Sequence, residues 1–173
     1  LLRNGRALAL QGAVRKAQAV AVTWYLGRQT GHAVADVLFG DYSPSGRLPV
    51  SFPQVSGQQP YFYNHPRTGR PELPTMSEFK ARWREIPNEP LYPFGHGIGY
   101  ATFAYGVPQL SAAQLGWDDT LTVTTTLTNT SAVPGEEVVQ LYIRGRVASR
   151  VRPVRGLKDF RKVALQGGES TEV

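Results

Sequence analysis

Hydrolytic enzymes commonly use a pair of carboxylates, so the thirteen aspartate and glutamate residues are the first groups to consider. Asp36 and Asp41 flank the end of a predicted helix, and most of the others fall in predicted loops or on the wet side of predicted strands. No two of them stand out as an acid and its base. No serine has the glycine-flanked surroundings of a nucleophile elbow, and the chain has no cysteine. The residues alone therefore predict no catalytic group.

Metal and phosphate sites are not indicated either. The histidines His32, His65 and His96 lack the spacing of metal ligands. The run GHGIG at 95–99 is glycine-rich, as phosphate loops are, but no Lys-Ser or Lys-Thr follows and the next residues are typical of a strand. A corner in the backbone is the better interpretation. No metal and no cofactor are predicted.

Aromatic side chains are the remaining candidates, because flat rings line many ligand pockets and can stack on the apolar face of a sugar. Trp24 ends a predicted strand of an α/β unit, which is where open sheets place their ligand sites. Tyr61, Phe62, Tyr63 and Trp83 lie in an irregular segment. Packing in a core or beneath a loop is the more common role of such rings, and the residues alone leave both interpretations open.

Composition and charge describe a globular chain with a basic surface. With 173 residues, 41% of them hydrophobic and 18% charged, the chain can bury a core in one or two domains. No apolar run reaches the roughly 20 residues that cross a membrane. The net charge is +6, and much of the excess lies between residues 144 and 162, often at every second position. Such spacing is typical of the wet face of a strand, and a polyanion site is the alternative.

One α/β unit is predicted in the first third of the chain. Residues 17–24 have the apolar content of a buried strand, and the apolar spacing within 33–38 predicts a helix that ends before Gly40. Residues 43–46 predict a type I turn. Alternation over 48–52 then predicts a strand at a sheet edge, because a proline in it cannot donate to a ladder.

The rest of the chain changes from irregular to all-β. Residues 59–101 are dense in proline, glycine and aromatic residues, with only a short predicted helix at 76–84. From 102 to 173, short alternating runs divided by turns predict a β-sandwich, although about 70 residues are too few for a complete one. A set of apolar residues is predicted to face one core, with the arginines at 144, 146, 150 and 152 in water: Leu121, Val123, Leu127, Val139, Leu141 and Ile143.

Several blocks resemble, in order and spacing, glycoside hydrolase family 3, and in particular its bacterial periplasmic β-glucosidase-like members. The blocks are GHAVADVLFGDYSPSGRLPVSFP at 31–53, QQPYFYNHPRTGRP at 58–71, EPLYPFGHGIGYATFAY at 89–105, GEEVVQLYIR at 135–144 and ASRVRPVRGLKDFRKVALQGGES at 148–170. The resemblance implies a chain of α/β plus all-β class. Residues 1–58 would be the tail of an α/β sandwich domain, 59–101 an irregular aromatic linker, and 102–173 a truncated fibronectin type III-like, immunoglobulin-like β-sandwich.

The resemblance also implies where the chemistry lies. In that family an N-terminal barrel carries an aspartate nucleophile, and a glutamate acid/base precedes the block that Asn4 to Arg6 match. Retaining hydrolysis needs both carboxyls about 5 Å apart, so the chain is expected to be inactive alone. In relatives, the segment 61–84 approaches the active-site mouth. Tyr61, Arg82 and Trp83 therefore join Trp24 as substrate-binding candidates.

The resulting hypothesis is a C-terminal fragment of an exo-acting β-glucosidase-like hydrolase, periplasmic or secreted. Its expected partners are an oligosaccharide or β-glucoside substrate and the barrel domain of the same protein, with no nucleic acid and no membrane span. A non-catalytic carbohydrate-binding or interaction module built on the β-sandwich is the alternative. A basic nucleic-acid-binding β-domain is a third interpretation that depends on charge alone.

Overall fold

The computed structural model describes residues 1–12, 14–70 and 80–173, and within these ranges strand outweighs helix. The described residues contain one α-helix, α1 (Thr30–Phe39), and two short 3-10 helices at Gly27–Gln29 and Ser56–Gln58. The strands are β1 (Phe103–Tyr105), β2 (Gln109–Leu110), β3 (Val123–Thr124), β4 (Thr126–Asn129), β5 (Gly135–Ile143), β6 (Gly156–Leu165) and β7 (Ser170–Glu172). No helix in these ranges is long and apolar enough to cross a bilayer.

Helix α1 ends as its sequence predicts. Gly40 has φ 87°, a left-handed conformation that glycine adopts without the steric penalty of a side chain. The Gly40 amide donates to the Val37 carbonyl at 3.3 Å, and the Tyr42 amide donates to the Asp36 carbonyl at 3.0 Å. These two bonds satisfy carbonyls that the end of a helix leaves without a partner.

The strands form three small sheets. The largest has the order β1-β4-β7, and both of its pairings are antiparallel, with Leu127 opposite Tyr105 on one side and Thr171 on the other. Strands β2 and β3 form an antiparallel pair, and β5 pairs with β6. Threonine and valine favour such pleated, half-buried positions, which is why these runs become strands.

The chain forms two compact units, each built from separated stretches. Unit 1 contains Leu1–Val34, Arg47–Gly97 and Gln140–Phe160, and unit 2 contains Ala35–Gly46, Ile98–Val139 and Arg161–Val173. Phe52 is completely buried at the centre of unit 1, with Ala7 and Leu10. Partly buried side chains pack around them: Leu2, Leu8, Val14, Val22, Trp24, Leu48, Val50, Leu91 and Tyr92.

The core of unit 2 contains a polar residue that is fully buried and fully bonded. Leu127 and Asn129, both on β4, are 0% exposed. The Asn129 amide nitrogen donates to the carbonyls of Val133 at 2.8 Å and Leu165 at 3.3 Å. Its carbonyl oxygen accepts from the amide and the hydroxyl of Ser131, at 3.0 and 2.7 Å. Because all of these groups have partners, burying the carboxamide does not carry the cost of unsatisfied polar atoms.

The predicted elements between residues 17 and 52 are only partly present. Instead of a strand at 17–24 there is a single parallel bridge, Leu2 with Val22. The predicted edge strand at 48–52 is likewise reduced to one antiparallel bridge, Phe52 with Tyr92. A strand needs a continuous ladder of hydrogen-bond partners, and the prolines at 49 and 53 remove backbone donors within and directly after the predicted strand at 48–52.

The predicted turn at 43–46 is absent, and the two serines of this stretch bond to other parts of unit 2. The Ser43 hydroxyl accepts from the Tyr100 amide at 3.0 Å. The hydroxyl of the buried Ser45 donates to Glu136 at 3.0 Å. Of the predicted helix at 76–84, residues 76–79 lie outside the described residues, and 80–84 form bends rather than a helix.

The prediction of one shared β core was wrong in part. Leu127 is buried as expected, but Leu141 and Ile143 belong to unit 1 while Val139 belongs to unit 2, and Ile143 is 50% exposed. The division between the units falls inside β5, between Val139 and Gln140, so the apolar residues of this one strand do not share a single core. The arginines at 144, 146, 150 and 152 are exposed, as predicted.

Candidate functional site

A buried glutamine secures the loop at 80–92 to unit 1. The Gln58 side chain is 4% exposed. Its carbonyl oxygen accepts from the Gln54 amide at 2.7 Å, and its amide nitrogen donates to the Pro87 carbonyl at 2.9 Å. Because Pro87 lies in an irregular segment, no strand ladder supplies a donor to its carbonyl, and the Gln58 side chain supplies that donor instead.

Asn88 brings three of the four substrate-binding candidates together. Its side-chain oxygen accepts from the Trp83 amide at 3.0 Å, and its side-chain nitrogen donates to the Ala81 carbonyl at 2.9 Å. Its backbone carbonyl accepts from the Tyr61 hydroxyl at 3.0 Å. Arg82 lies between the two tethered residues and is exposed. We call Tyr61, Ala81, Arg82, Trp83 and Asn88 the Asn88 group.

The Tyr61 phenol stays protonated at neutral pH. Burial raises the pKa of Tyr61 above its ordinary value of 10.0, the Glu89 carboxylate raises it further, and Arg155 opposes the shift. A protonated phenol is a hydrogen-bond donor, which is the role it has toward Asn88. Tyr61 is therefore a positioned ring rather than an acid or base near neutral pH.

A cleft of about 650 Å³ opens beside Tyr61 in unit 1. This volume lies within the range of small-molecule sites, roughly 300–1,000 Å³. The lining combines aromatic rings with a few polar groups: Arg6, Ala7, Pro49, Val50, Ser51, Gln59, Pro60, Tyr61, Phe62, Tyr63, Asn64 and Phe94. Such a surface suits a ligand with apolar faces and hydroxyl edges, as a sugar has.

A stack of aromatic rings holds one side of the cleft. The rings of Tyr63 and Phe94 are parallel with centroids 4.1 Å apart, and Tyr142 meets Tyr63 edge-on at 6.1 Å. The Arg155 guanidinium lies 5.6 Å from the centre of the Tyr142 ring. The Tyr63 hydroxyl accepts from the Leu157 amide at 3.3 Å, so the cleft-lining segment is bonded to β6. Pre-positioned rings of this kind bind a ligand at a low entropic cost.

Trp24 packs against the core of unit 1, as the core-packing interpretation of this residue predicts. Its ring is half-buried and tilted 52° to Phe52, with centroids 6.3 Å apart. Its φ of 48° is unusual for a bulky residue. Its role as a substrate platform stays a prediction.

Carboxylates are not paired for acid–base work in the described ranges. Glu136, in unit 2, accepts hydrogen bonds from Lys162 at 2.7 Å, from Tyr42 and from Ser45 at 3.0 Å. Lys162 first, then Tyr42 and Ser45, lower the pKa of Glu136 from 4.5 to about 2. A carboxyl with so low a pKa is a poor proton donor near neutrality. No group of three or more metal-binding side chains occurs in the described ranges.

Sequence reasoning missed the two residues that organise the site, Asn88 and Gln58. Asn88 lies between Pro87 and Pro90, a pattern that indicates a turn but not its partners. Gln58 starts the block QQPYFYNHPRTGRP, yet a buried glutamine has no distinctive signal in a single sequence. Their contacts reach 27 and 29 residues along the chain, beyond any local pattern.

Two family models match the chain. The glycosyl hydrolase family 3 C-terminal domain matches residues 1–100, and the fibronectin type III-like domain matches residues 137–173. Residues 1–100 include the cleft lining and the whole Asn88 group.

Curated proteins and solved structures agree with these matches. The chain is 44% identical to a periplasmic beta-glucosidase of Salmonella typhimurium and 39% identical to a beta-xylosidase of Formosa agariphila. Each alignment covers 100% of this chain and 23% of the relative. The crystal structure of a beta-glucosidase from Listeria innocua in complex with isofagomine superposes with a TM-score of 0.93 and 42% identity, over 99% of this chain and 24% of that one.

The chain thus spans about a quarter of the length of these relatives. Since more than half of it matches the family 3 model and the relatives align along all of it, this chain belongs to glycosyl hydrolase family 3 and contains the family's C-terminal domain.

Proposed function

We propose that this chain is the C-terminal portion of an exo-acting, β-glucosidase-like hydrolase and that the Asn88 group helps to bind its substrate. The observation that carries the proposal is the Asn88 carboxamide, which holds the backbone on both sides of Arg82 beside Tyr61. Tyr61 also lines the cleft, so the group and the cleft are continuous. The proposed substrate is an oligosaccharide or a β-glucoside.

The reacting carboxylates belong to other parts of the protein. Retaining hydrolysis requires two carboxyls about 5 Å apart. By resemblance to the family, the nucleophile would lie in the barrel domain and the acid/base in the segment before residue 4. The 173-residue chain by itself is expected to give no hydrolysis of an aryl β-glucoside. The periplasmic relative supports a periplasmic or secreted location.

The proposed domain organisation has three parts. Residues 1–58 are the end of an α/β sandwich, 59–101 are a linking segment, and 102–173 are a fibronectin type III-like sandwich. The end of one match at residue 100 supports a boundary near 101, the match to 137–173 and the strand-rich second half support a fibronectin type III-like arrangement there, and the boundary at 58 stays a prediction.

A matched pair of tryptophan substitutions tests the binding role. Trp83 is 46% exposed in the Asn88 group, whereas Trp117 is fully exposed in unit 2. In the full-length protein, Trp83→Ala should lower kcat/KM for an aryl β-glucoside about tenfold or more, and Trp117→Ala should leave it unchanged. Equal effects of the two substitutions, or no effect of Trp83→Ala, would remove the Asn88 group from the binding site.

One observation favours a second function, carbohydrate binding by unit 2. Trp117 presents its whole ring to solvent, on a turn in which the Asp119 carboxylate accepts from the Gly116 amide at 2.7 Å. A ring held in this way suits stacking on a polymer. Trp117→Ala should then weaken binding to an insoluble β-glucan without changing the hydrolysis of the small aryl glucoside. Unchanged glucan binding would exclude this second function.

A further inference from the structure

The loop at 144–155 has a net charge of +5, against +6 for the whole chain. This loop, which we call the Arg loop, has the sequence RGRVASRVRPVR and contains five arginines, with no lysine, aspartate or glutamate. The other residues together are therefore close to neutral. The proposed glucosidase function gives this concentration no role.

The side chains of four of the five arginines of the Arg loop have no bonded partner among the residues that the structure describes, and the fifth, Arg155, lies over the Tyr142 ring. All five arginines are exposed. The four without an ion pair or a hydrogen bond within the described ranges are Arg144, Arg146, Arg150 and Arg152. Like charges so close together repel one another, and the repulsion is relieved when an anion binds among them.

The backbone of the Arg loop is nevertheless held in place. The Arg67 guanidinium donates to the carbonyls of Gly145 at 2.8 Å and Arg146 at 2.9 Å. The Val154 amide donates to the His65 carbonyl at 3.0 Å, and a bridge joins Pro66 and Pro153. All of these residues belong to unit 1. The arginines therefore project from an anchored loop, so an anion that binds them does not have to order the backbone first.

The choice of side chains indicates the kind of anion. Arginine presents a planar fork that binds carboxylates through two parallel hydrogen bonds, which lysine cannot do. Non-specific binding of single-stranded nucleic acid needs aromatic rings on which bases stack, and the Arg loop has none. A glycan that bears carboxylates offers groups that arginine binds through two hydrogen bonds, and it does not need aromatic rings on which bases would stack.

We propose that the Arg loop is a docking surface for an acidic polysaccharide, whose uronate carboxylates bind the exposed guanidinium groups. The identification of the polymer as a glycan rests on the proposed function as a glycoside hydrolase. The surface recruits the polymer through the charge of Arg144, Arg146, Arg150 and Arg152, whereas Arg155 lies beside the aromatic stack of the cleft.

Affinity electrophoresis of the full-length protein in gels that contain polygalacturonate tests this inference. Polygalacturonate should retard the wild-type protein, and the retardation should weaken as the salt concentration is raised. Arg150→Gln with Arg152→Gln, the loop variant, should weaken polygalacturonate binding about tenfold. A neutral glucan should retard the wild-type protein and the loop variant equally. The matched control, Arg3→Gln with Arg28→Gln, removes the same charge from exposed arginines outside the loop and should bind like the wild type.

Three results would overturn the inference: no retardation by polygalacturonate, equal losses in the loop variant and the control, or tighter binding to single-stranded DNA than to polygalacturonate. Thermal melting of each variant checks that it is folded. Arg144→Gln with Arg146→Gln provides a second loop variant if the first unfolds. Aryl β-glucoside hydrolysis by the wild-type protein is measured alongside, because its absence counts against the proposed glucosidase function while polygalacturonate binding is scored separately.

Discussion

The Tyr61 hydroxyl donates a hydrogen bond to the backbone carbonyl of Asn88, at 3.0 Å and across 27 residues of sequence. The same asparagine holds the chain at Ala81 and at Trp83 through its side chain. One residue thus couples an aromatic ring on the cleft to an exposed tryptophan and an exposed arginine. Loss of the Asn88 side chain should release the segment that carries Arg82 while the Tyr61 bond to the backbone persists.

Substitutions of Asn88 should therefore reduce substrate binding in a graded way. Asn88→Ala removes two hydrogen bonds, each contributing about 0.5–1.5 kcal/mol, so kcat/KM of the full-length protein should fall about tenfold. Asn88→Asp keeps the acceptor for the Trp83 amide but loses the donor to Ala81, so its loss should be smaller. Acrylamide should quench the fluorescence of Trp83 more strongly in Asn88→Ala. Identical kinetics in the two variants would argue against the tether.

Gln58 should be important for the stability of unit 1. Gln58→Leu leaves the Gln54 amide and the Pro87 carbonyl without their partners, at a cost of about 1–3 kcal/mol for each buried group. Urea denaturation should therefore show a free energy of unfolding lower by about 2–4 kcal/mol. Gln29→Ala, at an exposed glutamine, is the control and should change the free energy of unfolding little. A Gln58→Leu variant as stable as the control would show that water replaces both bonds.

The Glu136–Lys162 pair should make stability depend on pH in acid. The folded pKa of Glu136 is lowered, so between pH 4.5 and about 2 the unfolded chain binds more protons than the folded one. The stabilisation is complete above pH 4.5 and disappears as the pH falls toward 2. The pKa of Lys162 is raised chiefly by its hydrogen bond to Glu136. The contribution of Lys162 to the free energy of unfolding is therefore lost only at strongly alkaline pH. Both side chains are partly exposed, so salt should weaken the effect.

Thermal melting of the wild type and Glu136→Gln between pH 6 and pH 2 measures this contribution. The wild type should have the higher Tm at pH 6, and the two values of Tm should converge as the pH falls below 4.5. Glu172→Gln, at an exposed glutamate of β7, should stay parallel to the wild type. A constant difference between the wild type and Glu136→Gln would mean that the ion pair contributes nothing that depends on the charge of Glu136.

Tryptophan fluorescence should report unfolding of unit 1 only. Trp24 packs against Phe52 and should shift to longer emission wavelength when unit 1 unfolds. Trp117 is fully exposed and already emits from water. Trp117→Phe should keep most of the change in emission on unfolding, whereas Trp24→Phe should remove most of it. A large change that depends on Trp117 would contradict the exposure of that ring.

Local patterns determined much of the chain. Helix α1 with its terminal Gly40 is present where the sequence predicts it, and strands β5 and β6 lie in the region that is predicted to be all-β. These features depend on residues that are close together in the sequence, as in a helix and its cap, or on two strands that follow one another along the chain. The motif blocks also identified the family. The role of the segment 61–84, with Tyr61, Arg82 and Trp83, is implied by that resemblance and stays a prediction.

Only the tertiary structure decided which of these elements found partners. The apolar run at 17–24 has strand propensity, but a ladder forms only where another strand lies beside it, and Val22 has one bridge to Leu2. Asn88 and Gln58 act through bonds to residues more than twenty positions away, so no local pattern marks them. Propensity and periodicity are properties of neighbouring residues, whereas the partner of a buried amide is set by how distant segments pack.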